Sequence, residues 1–205
     1  TPDECSFGPW LADHLRKQDR FGPAPEIWSF PVASGDGRHI TALLIRGQGT
    51  RTVVLTGHYD TVTVQDYGDL APLAGQPEAL RAALLTRLQG ATDPASCRAS
   101  KDLASGIFLP GRGLLDMKAG LAAGLTAMAA IAAAPFDGNL LFLAVPDEEN
   151  ASAGARAAAA HLAVLAAERG LSIAAAINLD AIADDGDGTS GRVLATGTVG
   201  KVLPT

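Results

Sequence analysis

The sequence predicts an α/β protein, a three-layer sandwich on a mixed and mostly parallel sheet. Three observations predict it. Past residue 50, apolar runs of strand length alternate with longer stretches of helical period, the pattern of strands joined by crossover helices. Those strand-length runs are apolar throughout rather than alternating, so both of their faces are buried. Ahead of them, two runs of strand character flank the turn Ser34-Gly35-Asp36-Gly37, which adds an antiparallel hairpin.

In chain order, residues 5–20 read as a surface helix, with Phe7, Trp10, Leu11 and Leu15 apolar among charged neighbours. Residues 26–34 and 39–46 are the hairpin strands, and 52–56 is a buried strand rich in β-branched residues. Residues 63–110 are polar and broken by Gly and Pro, an elaborated surface excursion with short helices at about 77–89 and 94–104. A helix then runs to about residue 134. Its Met117, Leu121, Leu125, Met128 and Ile131 recur at spacings of four and three, a stripe that faces a core. Residues 139–145 form an apolar strand, 152–169 an Ala-rich helix stopped by Gly170, and 172–179 another buried strand. A polar loop at 184–191 and a last strand near 192–198 complete the reading.

Composition narrows the function. The chain has 205 residues, 47% hydrophobic and 19% charged, enough for one domain with a substantial core. A net charge of −6 without a Lys/Arg cluster argues against a nucleic-acid partner. No apolar run reads as a membrane span and no signal pattern opens the chain. Cys5 and Cys97 stand far apart in no metal-binding or disulfide pattern, so a reducing cytoplasm is the expected compartment.

The chemistry gathers where apolar elements give way to loops. His58 and Asp60 end the strand at 52–56, Glu148 and Glu149 follow the strand at 139–145, Asp180 follows the strand at 172–179, and Asp116 precedes a helix. In an open α/β sheet such positions converge on the crevice at the carboxyl ends of the strands. His58 and Asp60, two apart in extended backbone, point the same way, so the carboxylate is placed to orient the imidazole. One histidine with several carboxylates and no cysteine suits Zn²⁺, Mn²⁺ or Co²⁺ in hydrolysis. A bridging carboxylate would make it a pair of ions ~3.5–4 Å apart. Of the adjacent Glu148 and Glu149, one would ligate while the other serves as base.

Gly57-His58-Tyr59-Asp60-Thr61-Val62, Gly111-Arg112-Gly113 with Asp116-Met117-Lys118-Ala119-Gly120, Pro146-Asp147-Glu148-Glu149 and Asn178-Leu179-Asp180 resemble the successive motifs of the co-catalytic zinc peptidases. That superfamily includes the aminoacylases, acetylornithine deacetylase, succinyl-diaminopimelate desuccinylase and glutamate carboxypeptidase. Asp102-Leu103-Ala104-Ser105-Gly106, Phe136-Asp137-Gly138-Asn139 and Gly197-Thr198-Val199-Gly200-Lys201-Val202-Leu203-Pro204 are most similar to its bacterial arginine-utilisation branch.

The resemblance implies a metal-dependent hydrolase that cleaves an amide bond in a small peptide or N-acyl amino acid. Two divalent ions, zinc first with Mn or Co as alternatives, would hold a bridging water. His58 and Asp180 would ligate the first ion, Glu149 the second, and Asp116 both. Glu148 would be the general base, Asp60 would orient His58, and the Asp116–Met117 peptide would be cis. Three departures stand out. No residue matches the distal histidine of the second ion, so the site around His58 is expected to be the better formed. The lid and dimerisation domain would begin about where the chain stops, which makes this the N-terminal part of a catalytic domain, with homodimerisation confined to the full-length protein. Ala119 stands where glycine is usual. The competing reading is a truncated or non-catalytic homologue acting as a binding or assembly module. A two-metal phosphoesterase would call for more histidines.

Overall fold

A computed structural model describes residues 4–33 and 35–180. The loop expected at 184–191, the strand expected at 192–198, the 197–204 motif and Ser34 of the hairpin turn lie outside the described residues.

Five strands form one mixed sheet: β1 (Glu26–Pro31), β2 (His39–Arg46), β3 (Gln48–His58), β4 (Asp137–Val145) and β5 (Ser172–Asn178). Their order across the sheet is β1-β2-β4-β3-β5. β3 pairs in parallel with both β4 and β5, while β2 runs antiparallel to β1 and β4. Four strands thus share one direction and β2 alone opposes them. The register decides where the chemistry falls. His58 lies opposite Val145, and Thr56 opposite Asn178, so three parallel strands end at one rim.

The period-2 alternation divides two cores. Leu43, Ile45, Leu55, Phe142 and Ala144 face α1 (Glu4–Arg16) and α4 (Ala119–Ala132). Ala42, Leu44, Val54, Leu141, Leu143 and Val145 face α5 (Ala153–Arg169). Helices on both faces of the sheet make the three layers expected. The excursion carries a 3-10 segment (Gln65–Leu73), α2 (Pro77–Arg87) and α3 (Pro94–Ser105). Asp93 caps α3 by accepting from the Ser96 amide, and Gly106 closes it in the left-handed conformation.

Several expectations are corrected. β3 starts at Gln48 and runs through His58 rather than covering 52–56 only, because backbone pairing with β4 continues past the apolar run across a register shift. The first helix stops at Arg16 and a separate 3-10 turn, Asp19–Phe21, follows. β1 ends at Pro31, after which the Val32 amide donates to the Arg38 carbonyl at 3.0 Å and the chain turns. Ile131 is 43% exposed, so the buried stripe of α4 ends at Met128, and Ala129 and Ala132 make the contact beyond it. Residues 114–132 prove long and apolar enough, by length and composition, to cross a membrane. In the fold they are the π-type turn Leu114–Lys118 and α4, whose apolar face lies on the sheet.

Candidate metal centre

Each candidate residue reaches the rim through a packing constraint that can be named. β3 delivers His58, and the Tyr59 amide donates to the Val145 carbonyl at 3.0 Å, which ties the ends of β3 and β4 together. Gly57 has no side chain because none would fit: a Cβ there would lie 2.1 Å from Met117 Cε. Met117 fills that space, fully buried, and its sulfur accepts from the His58 amide at 3.0 Å. The Asp116–Met117 peptide is cis, as the motif resemblance implies. Asp180 is set by Leu179, whose amide donates to the Thr56 carbonyl at 2.8 Å. Leu179 approaches α4 where Gly120 and Gly124 leave room; a Cβ at Gly120 would lie 2.0 Å from the Leu179 carbonyl oxygen.

The side chains converge on the imidazole. His58 Nε2 lies 2.9 Å from Asp116 Oδ1, 3.8 Å from Asp180 Oδ2 and 3.9 Å from Glu148 Oε2. One donor atom each from His58, Asp116 and Asp180 lies within 4.8 Å of the others. On the other side of the ring, Nδ1 is 3.2 Å from the Asp60 carbonyl oxygen and 3.5 Å from its carboxylate Oδ1. The buried Asp60 carboxylate also accepts from the Glu148 and Glu149 amides, each at 3.0 Å. Asp60 therefore joins the end of β3 to the loop after β4.

The electrostatics are those of crowded carboxylates around one buried cation. Burial pushes the His58 pKa down, but Asp60, Asp180 and Asp116 outweigh it and raise the imidazole to about 9. Burial pushes Asp60 up, while His58 and the two amides bring it down to about 2. Glu149 is held above the usual carboxylate range by burial and by the charges of Asp116, Glu148 and Asp60, with His58 opposing. Burial lowers Lys118, against the pull of Asp60 and Asp116. Imidazole nitrogen and carboxylate oxygens without sulfur fit a divalent ion of the Zn, Mn or Co type. A divalent ion would also relieve the repulsion among these carboxylates.

Residues 97–196 match peptidase family M20/M25/M40, and they hold Asp116, Glu148, Glu149 and Asp180 in motif order. That stretch of the chain is similar to the family. Two Bacillus subtilis (strain 168) proteins are similar across most of this chain. The uncharacterized protein YqjN is 34% identical over 169 residues, covering 82% of the chain and 30% of YqjN. Protein RocB is 36% identical over 160 residues, covering 77% of the chain and 27% of RocB. The chain thus spans less than a third of the length of these curated relatives. Among solved structures, LapB from Legionella pneumophila aligns with a TM-score of 0.40 at 11% identity, over 84% of the chain and 35% of LapB.

The remaining histidines of the chain are engaged elsewhere. His14 stacks on Trp10, His39 Nδ1 sits 3.1 Å from the Gly37 carbonyl oxygen, and His161 packs on Phe30. Among the described residues none of them stands in the cluster around His58. Sequence reasoning missed the sulfur contact of Met117, the place of Lys118 beside Asp60 and Asp116, and the part taken by Asp147. Asp147 was visible in the Pro-Asp-Glu-Glu run. Its partner Arg38 carries no sequence signal.

Proposed function

We propose that this chain contributes a divalent-metal centre to a hydrolase that cleaves an amide bond in a small peptide or N-acyl amino acid. The observation that carries the reading is the convergence of Asp116, Glu148 and Asp180 on His58 Nε2 at one rim of the sheet. The match of residues 97–196 to the peptidase family gives the same direction. His58 and Asp180 would hold one ion, Glu149 a second, and Asp116 both. Zinc fits best, with Mn or Co as alternatives. When bound, such ions supply Lewis acidity that polarises the scissile carbonyl and acidifies the attacking water.

The protein groups do the rest. Glu148 removes the proton from the attacking water and returns it to the leaving amine nitrogen. Asp60 fixes the imidazole of His58 through Nδ1 and holds the backbone of both glutamates, so the base and the ligand next to it keep one geometry. A tie to arginine utilisation rests on motif resemblance and belongs to the same proposal. So do a cytoplasmic setting, homodimerisation of the full-length protein, and the exclusion of nucleic acid and membrane as partners.

Glu148→Gln in the full-length polypeptide tests the reading. Turnover on a panel of dipeptides and N-acyl amino acids with Zn²⁺, Mn²⁺ and Co²⁺ should fall by about 10²–10⁴-fold while metal content persists. Undiminished turnover would sink the assignment.

A further inference from the structure

The loop that carries Glu148 and Glu149 is anchored twice, and only the Asp60 anchor belongs to the site described above. The second lies at Asp147, which is 5% exposed and has φ 67°, a left-handed conformation that L side chains rarely adopt. Its Oδ2 accepts from the Ala153 amide at 2.9 Å, at the start of α5. Its Oδ1 accepts from Arg38 Nη1 at 2.6 Å. Arg38 comes from the turn before β2, 109 residues away in sequence. Its guanidinium is held by Asp36, with Nε donating to Oδ1 at 2.6 Å and Nη2 to Oδ2 at 2.7 Å. That fork leaves Nη1 aimed at Asp147, with Glu4 Oε2 3.6 Å from the same nitrogen.

We infer that Arg38 is a positioning residue for the acidic pair Glu148–Glu149, acting through Asp147. The backbone leaves Asp147 directly into Glu148, so the side-chain anchor that keeps Asp147 at positive φ also sets the direction of the next peptide. Without Arg38 the Asp147 carboxylate is a buried anion that keeps as donors the Ala153 amide and the Asn150 side chain, both from the same short stretch of chain, and loses its one charged partner from another element. Water then becomes its better partner, and the left-handed turn relaxes. Both glutamates move with it, even though Asp60 still accepts from their amides. A bidentate guanidinium is the group this geometry needs, since a lysine ammonium cannot grip Asp36 with two parallel bonds while reaching Asp147.

The role assigned to the glutamates rests on the proposed function, so the test separates the two. Arg38→Met and Arg38→Lys are made in the full-length polypeptide, with Arg46→Met, which removes an exposed arginine paired to Glu26, as the control. Hydrogen exchange followed by mass spectrometry reads the loop without any substrate. Arg38→Met is expected to speed exchange across residues 147–152 at least tenfold while residues 140–144 of β4 stay within twofold of wild type. Arg38→Lys should fall between them, and Arg46→Met should change neither. Unchanged exchange at 147–152, or equal acceleration along β4, overturns the inference. On a substrate whose turnover is lost in Glu148→Gln, Arg38→Met should lower kcat at least tenfold with KM within threefold. A normal kcat there overturns the inference and leaves the proposed function standing. A Glu148→Gln variant that keeps turnover overturns the proposed function, and the exchange measurement still decides the part of Arg38.

Discussion

Asp60→Asn isolates the joint on which the centre depends. The Asp60 carboxylate is buried, and it accepts from the Glu148 and Glu149 amides while lying 3.5 Å from His58 Nδ1. Asparagine keeps one oxygen and therefore one of the two amide bonds. Its NH₂ group faces the other amide, donor against donor, and the charge opposite His58 is gone. A hydrogen bond to a charged group contributes about 1.5–3 kcal/mol, so the expected loss of stability is about 2–4 kcal/mol. Linkage gives a similar size. A carboxyl held at about 2 against an ordinary 3.8 contributes about 2 kcal/mol, present above pH 3.8 and lost as pH falls through 2. Urea unfolding of chelator-treated protein at neutral pH should show the midpoint falling by roughly 1–2 M. The acid-side loss between pH 3.8 and 2 should shrink in the variant. An unchanged midpoint would refute the reasoning, because it would mean that neither amide nor imidazole depends on this carboxylate.

Other consequences follow from the same geometry. With its pKa raised to about 9, His58 adds stability that is fully present below its unfolded value near 6.5 and is lost as pH rises through 9. Chelator-treated protein should therefore weaken from neutral pH to pH 9, and NMR should find the His58 ring titrating near 9. Zinc should abolish that titration and release protons; a His58 that titrates near 6.5 would contradict the crowding described. Gly57→Ala would drive a Cβ to 2.1 Å from Met117 Cε and 3.0 Å from Leu121 Cδ2. It should lower stability by about 1–3 kcal/mol in thermal unfolding and weaken zinc binding by displacing Asp116, whereas wild-type zinc affinity would show that Met117 does not hold Asp116 in place.

Much of this arrangement was legible in the sequence. Apolar runs of strand length and their alternation with helices foretell β3, β4, β5, α4 and α5; burial on both sides accounts for the continuous signal of β4, whereas β5, expected to be buried, is exposed along its length at the edge of the sheet. The site residues were legible for a related reason, since each follows or precedes such a run and parallel strands bring those ends to one rim. Boundaries were less so. β3 begins at Gln48 because backbone pairing reaches past the apolar residues, and pairing leaves no pattern in side chains. Ile131 fits the helical period yet stands exposed, since periodicity fixes a face but not where that face runs out of neighbours. The Arg38–Asp147 pair was invisible because an arginine after a turn resembles any surface arginine, and only the fold brings it to a buried carboxylate 109 residues away.

Zinc titration of chelator-stripped protein, wild type beside His58→Ala and Asp180→Asn, tests most directly whether this rim is a metal centre built around His58. Wild type should bind one tight equivalent, accompanied by proton release, and a second, weaker one. His58→Ala should lose the tight equivalent and Asp180→Asn should weaken it. Zinc binding that fails to saturate in wild type, or a tight equivalent that survives His58→Ala, would contradict a metal centre built around His58.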